Sequence, residues 1–114
     1  MERVALITVE ASICLRSETH RERPVLVVSP FLAVPPGGWK EREEMVTILK
    51  PDGREQEAIA RFSLFHNDIR DGKVVPGLRV SIQFLDMTSA DVPDGSKILV
   101  SRETGTALLP KTVA

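Results

Sequence analysis

The chain has 114 residues with 42% hydrophobic and 27% charged side chains, the profile of one soluble globular domain with a core of its own. A formal net charge of -1 excludes a nucleic-acid binder that works mainly through a basic excess, and DNA is not expected as a partner. One cysteine, Cys14, rules out an intrachain disulfide, and no run approaches the roughly 20 apolar residues that span a bilayer, so a cytoplasmic protein away from membranes is expected.

The first element runs from about Val4 to Arg16. Ala5, Ile7, Val9, Ala11, Ile13 and Leu15 hold one parity, and Thr8, Glu10, Ser12, Cys14 and Arg16 the other. A strand of this length predicts a bent or coiled strand serving two parts of a barrel. A polar loop, Ser17 to Arg23, leads to Pro24 and then Val25 to Ser29, which is apolar on both faces and reads as a central strand. Ser29 to Lys40 holds Pro30, Pro35, Pro36, Gly37 and Gly38 and is expected as a loop anchored by Phe31 and Trp39. The mixed-charge run Lys40 to Glu44 reads as a solvated face or loop. Met45 to Leu49 is a strand, and Pro51-Asp52-Gly53 makes a hairpin turn: proline presets φ, and glycine accepts φ > 0.

The returning arm, Glu55 to Phe65, fits two periods. Ala58, Ile59, Phe62 and Phe65 would line a helix; Ala58, Ala60, Phe62 and Leu64 would line a strand, which the preceding turn favours. His66 to Lys73 is rich in turn residues, and Val74-Val75 is expected as a short edge strand. Pro76-Gly77 reads as a turn opening a strand in which Leu78, Val80, Ile82 and Phe84 face a core and Arg79, Ser81 and Gln83 face water. Pro93-Asp94-Gly95 is a second turn before the strand Lys97 to Ser101. Arg102 to Gly105 is expected to turn again, with Thr106 to Leu109 pairing back. These elements predict an all-β fold: one antiparallel barrel of six to eight strands over residues 1–114, with an irregular insertion at about 30–73.

Two segments resemble the C-terminal β-barrel domain of the elongation factor Tu family. Val9 to Ser17, followed by a polar loop and Arg23-Pro24-Val25, resembles its start. Pro76 to Val80, and then Val92-Pro93-Asp94-Gly95-Ser96-Lys97-Ile98-Leu99-Val100-Ser101-Arg102-Glu103-Thr104-Gly105, resembles its end. The likeness covers about half the chain. The middle departs from it, the family's closing Gly-Gly is reduced to Thr104-Gly105, and the phosphate-binding Gly-x-x-x-x-Gly-Lys-Ser/Thr loop of a GTPase does not occur. The resemblance implies a six-stranded antiparallel barrel that binds and does not catalyse. It points to the loops at Thr19 to Arg23 and Arg102 to Gly105 as the places that meet transfer RNA or a partner protein.

The residues offer little independent chemistry. His20, His66 and Cys14 stand apart, without metal-ligand spacing, so neither a metal nor a cofactor is expected. Asn67 to Gly72 lacks the alternating ligands and closing Glu of a calcium loop. Arg16, His20, Arg21 and Arg23 form the densest basic cluster, and with Arg102 they compose a candidate patch for phosphate or an acidic partner, unless Glu18, Glu22 and Glu103 neutralise them. The expected function is therefore a non-catalytic, stand-alone barrel module, translation-related by that resemblance, that binds a protein or, second, RNA. The alternatives are a small enzyme with a loop site near His66 and Asp68, or a structural subunit that forms oligomers through its edge strands.

Overall fold

A computed structural model describes residues 3–15, 25–70 and 73–108. Seven strands form one curled, half-barrel sheet: β1 (Arg3–Thr8), β2 (Ala11–Leu15), β3 (Val25–Leu32), β4 (Arg42–Leu49), β5 (Glu55–Arg70), β6 (Lys73–Leu85) and β7 (Lys97–Ser101). The spatial order is β1-β7-β4-β5-β6-β3-β2, and every neighbouring pair is antiparallel. A short helix, α1 (Arg102–Leu108), follows β7.

The first chain segment supplies both edges of the sheet. β1 pairs with β7, β2 pairs with β3, and only Val9 and Glu10 separate them. The Val9 amide donates to the Ser96 carbonyl at 2.7 Å, while the Glu10 amide donates to the Ser29 carbonyl at 2.8 Å. One bend thus serves two parts of the sheet, as the length of the apolar alternation implied. The single parity expected from Ala5 to Leu15 does not survive. A bulge between Ala5 and Ile7 buries both Leu6 and Ile7 and leaves Ala5 exposed, and beyond the bend Ala11 and Ile13 are exposed as well.

Period-two alternation fills the interior. Val46 and Ile48 of β4, Ala60 and Phe62 of β5, Val80, Ile82 and Phe84 of β6, and Ile98 and Val100 of β7 are fully buried in one cluster. Glu55 to Phe65 is therefore strand, and β5 occupies the centre of the sheet. The helical reading fails because the β4–β5 hairpin gives every residue from Glu55 to Phe62 a register partner in β4. The region expected as an irregular insertion at about 30–73 holds β4 and β5, two of the strands that carry the core.

The β4–β5 hairpin closes at Pro51-Asp52-Gly53 as expected. The Gly53 amide donates to the Lys50 carbonyl at 2.9 Å, and Gly53 takes φ 91°, a value open to glycine at little cost. Asp52 accepts from the Arg54 amide at 3.0 Å and from Arg54 Nε at 2.6 Å. The backbone bond first, and the Arg54 side-chain bond second, hold the Asp52 carboxyl below its ordinary pKa.

β3 runs on to Leu32, so Ser29 to Leu32 of the expected Ser29 to Lys40 loop are strand, and four more expectations are corrected. Pro76-Gly77 is no turn: β6 runs unbroken from Lys73, and Asn67 pairs with Pro76 while Phe65 pairs with Arg79. The extra residue forms a bulge at Gly77-Leu78 opposite His66, where a strand tolerates both proline and glycine. His66 to Arg70 is likewise strand, so β5 and β6 continue as a two-stranded arm past Val80, where β3 leaves the ladder. The third correction falls on Lys40 to Glu44, where Arg42 to Glu44 open β4. Finally, Arg102 to Leu108 is helical, because Ser101 caps it: the Thr104 amide donates to Ser101 Oγ at 3.3 Å.

Phe62 has no exposed surface at the centre of the cluster. Phe62→Ala is expected to cost about 3–5 kcal/mol in denaturant unfolding, a large share of the roughly 5–15 kcal/mol typical of a domain. For Asp52 the depressed pKa stabilises the fold above the unfolded-state pKa, and the contribution is lost as pH falls through the folded-state value. Carboxyl NMR titration should place Asp52 below an ordinary aspartate, and the stability gap between wild type and Asp52→Asn should narrow across that acid range.

Candidate binding face

Alternation that buries one side of β4, β5 and β6 turns the other side outward. Met45 and Ile59 are direct cross-strand partners. Continuing the β5–β6 register one step past Ala60 and Phe84 sets Leu85 beside Ile59, and Leu85 pairs in turn with Val25 of β3. Met45 is 44% exposed, Ile59 54% and Leu85 37%, so an apolar row crosses the outer face over four strands. Isolated exposed apolar side chains are ordinary, but a contiguous row is a candidate contact surface.

Polar residues border the row. On one side lie Glu43 and Arg61, whose Nη2 is 3.6 Å from Glu43 Oε1. On the other lie Thr47 and exposed Glu57, again direct partners. Beyond Arg61, Gln83 donates to Ser81 Oγ at 3.0 Å, and Ser81 Oγ donates to the Ser63 carbonyl at 3.3 Å. Ser81 was expected on a wet face; it is fully buried, and these two bonds satisfy it. A shallow depression opens between Glu43, Glu57, Ile59, Arg61, Gln83 and Leu85, where the apolar row meets its charged border.

A second polar cluster lies at the start of β4. Arg42 sits 5.1 Å from the centroid of the Trp39 ring, and Trp39 Nε1 donates to the Phe62 carbonyl at 3.0 Å, anchoring the loop before β4 as expected. Arg42 also donates to Glu44 at 3.5 Å and to Thr104 of α1. Glu44 accepts from Thr104 Oγ1 and, through its other oxygen, from the Ser101 amide at 3.2 Å. Glu44 and Thr104 point at each other's polar atoms and not at solvent; Thr104 is fully buried. The cluster clamps α1 onto β4 and helps seat Leu108 in the core.

Of the residues proposed for a basic patch, Arg16, His20, Arg21 and Arg23 lie outside the described residues. Arg102 is exposed at the first position of α1. His66 is exposed in β5, and the Asp68 backbone pairs with Val75 in the arm. The proline-rich region does reach this end of β5, but through an apolar contact: Phe31 packs edge-on against Phe65 with ring centroids 5.4 Å apart. Cys14 is exposed on β2. Among the described residues no three His, Cys, Asp or Glu side chains gather as metal ligands, and no helix is long and apolar enough to cross a membrane. The apolar row was not singled out from sequence, although a signal existed: Met45 and Ile59 are apolar at the parity opposite to the buried Val46, Ile48, Ala60 and Phe62.

Compared with protein-family models, curated proteins and solved structures, the chain matches none.

Removing the Glu44 carboxylate takes the acceptor from the Ser101 amide and one of the partners from each of Thr104 and Arg42. Glu44→Ala is expected to lose about 1–3 kcal/mol in denaturant unfolding, with faster amide hydrogen exchange concentrated in α1. Uniform acceleration across the sheet would contradict the clamp.

Proposed function

We propose that the chain is a non-catalytic β-barrel binding module whose partner is a protein, of the general kind that the C-terminal barrel of elongation factor Tu represents. The observation that carries this reading is the apolar row Met45, Ile59, Leu85 and Val25 on the outer face of the sheet. Exposed apolar surface costs solubility, and one held on paired strands needs no reordering to bind, so little entropy is lost on association. The borders favour protein over RNA at this face, since outward positions of β4 and β5 carry Glu43, Glu55 and Glu57 against Arg61. Phosphates meet net repulsion there.

The likeness to the elongation factor barrel draws its support from the order and spacing of turn and alternation motifs in the sequence at the two chain ends. Two of its markers take other forms here: Pro76-Gly77 is a bulge inside β6, and Arg102 to Gly105 begins a helix. The proposed contact surface accordingly lies on the sheet and not on those segments.

Ile59→Gln tests the reading, because the side chain is more than half exposed and the substitution leaves the core intact. Native-extract affinity purification should capture a discrete protein with the wild type and lose it with Ile59→Gln at an unchanged melting temperature. Capture indifferent to Ile59 would remove the outer face from the function.

A further inference from the structure

The charge around the apolar row narrows the partner. Glu43 and Glu57 flank Met45 and Ile59 on opposite sides, and Glu55 lies beyond Glu57 on the same outward parity. All three are exposed. Arg61 approaches Glu43 alone, and among the described residues nothing pairs with Glu55 or Glu57. The depression between Ile59, Arg61 and Leu85 supplies a recess at the centre of this acidic frame.

Spacing narrows it further. The row runs across the strands, so its side chains repeat at the inter-strand distance of about 4.8 Å. A helix laid along the row presents one apolar position per turn, every ~5.4 Å, close to that repeat. An extended peptide presents same-side residues about 6.6–6.8 Å apart and falls out of step within the row. Resting on the binding-module reading, we infer that this face docks a basic amphipathic helix of another protein, its apolar stripe on Met45, Ile59 and Leu85 and its Lys or Arg residues opposite Glu43, Glu55 and Glu57. Such a helix binds through i, i+3/i+4 and i+7 anchors, and the acidic frame both steers it and rejects acidic competitors.

Fluorescence anisotropy with three labelled peptides of about fourteen residues tests this: Leu and Lys at helical spacing, Leu and Glu at the same spacing, and strictly alternating Leu and Lys. The Leu/Lys helical peptide should bind the full chain, weaken as salt rises, and weaken by about tenfold or more with Ile59→Gln. The double variant Glu43→Lys, Glu57→Lys, at exposed positions that the core does not use, should lose the Leu/Lys helix and gain the Leu/Glu helix. That exchange of partners cannot come from unfolding. The inference is overturned if wild type prefers the Leu/Glu peptide, if the alternating peptide binds more tightly than the helical one, if the double variant changes nothing, or if no peptide binds. In each case Ile59-dependent capture from extract still decides the binding-module reading separately.

Discussion

The fold depends on how Val9 and Glu10 share out their backbone hydrogen bonds. Val9 donates to the Ser96 carbonyl and accepts from the Gly95 amide, whereas Glu10 donates to the Ser29 carbonyl. Two consecutive residues thus tie the β7 side of the sheet to the β3 side. Buried backbone groups must be paired, and a chain that turns from one partner strand to another between adjacent residues forces the sheet between those partners to curl. Gly95 accepts φ 89° to deliver its amide there, and its α-carbon is so placed that a β-carbon would meet Pro51 Cγ at 3.4 Å. The second Pro-Asp-Gly turn is therefore a part of the closure as well as a connection.

Curling divides the strand alternation into two populations with different roles. The inward set closes over Phe62 and Phe84 and provides most of the apolar burial. The outward set is left to water or to a partner, and on β4 to β6 it is not uniformly polar. The residues that interrupt it, Met45, Ile59 and Leu85, sit side by side only because the β4–β5 and β5–β6 registers place them so. A register slip of one residue would exchange the two sets, sending Phe62 outward and Ile59 inward. The turn at Pro51-Asp52-Gly53 guards against that slip at one end of the hairpin. The clamp of Arg42 and Glu44 on Thr104 holds the other end of β4 against α1.

Much of the architecture was legible in local pattern. Turn chemistry located the β4–β5 hairpin and the Gly95 turn, the β7 strand has the expected bounds, and the long first alternation implied one strand serving two parts of the sheet. The errors share a cause. Pro76-Gly77 and His66 to Arg70 have turn composition, yet cross-strand pairing between β5 and β6 outweighs it, with the mismatch absorbed as a bulge. Arg102 to Leu108 carries Gly105 within it, a poor helix former, yet a Ser101 cap, the Glu44 contact and burial of Leu108 make the helix the better-satisfied state.

For the candidate face the division is sharper. The sequence by itself determined that strands dominate, where the two Pro-Asp-Gly turns fall and which apolar residues of β5 and β6 face the core, because period, proline and glycine act over a few residues. It also held the out-of-phase apolar residues Met45 and Ile59, but as two unrelated irregularities fourteen positions apart. Only the tertiary structure decided that they face each other across β4 and β5, that Leu85 and Val25 extend them into a row and that glutamates frame it. Adjacency across strands is set by hydrogen-bond register between segments distant in the chain, and no local pattern encodes a register.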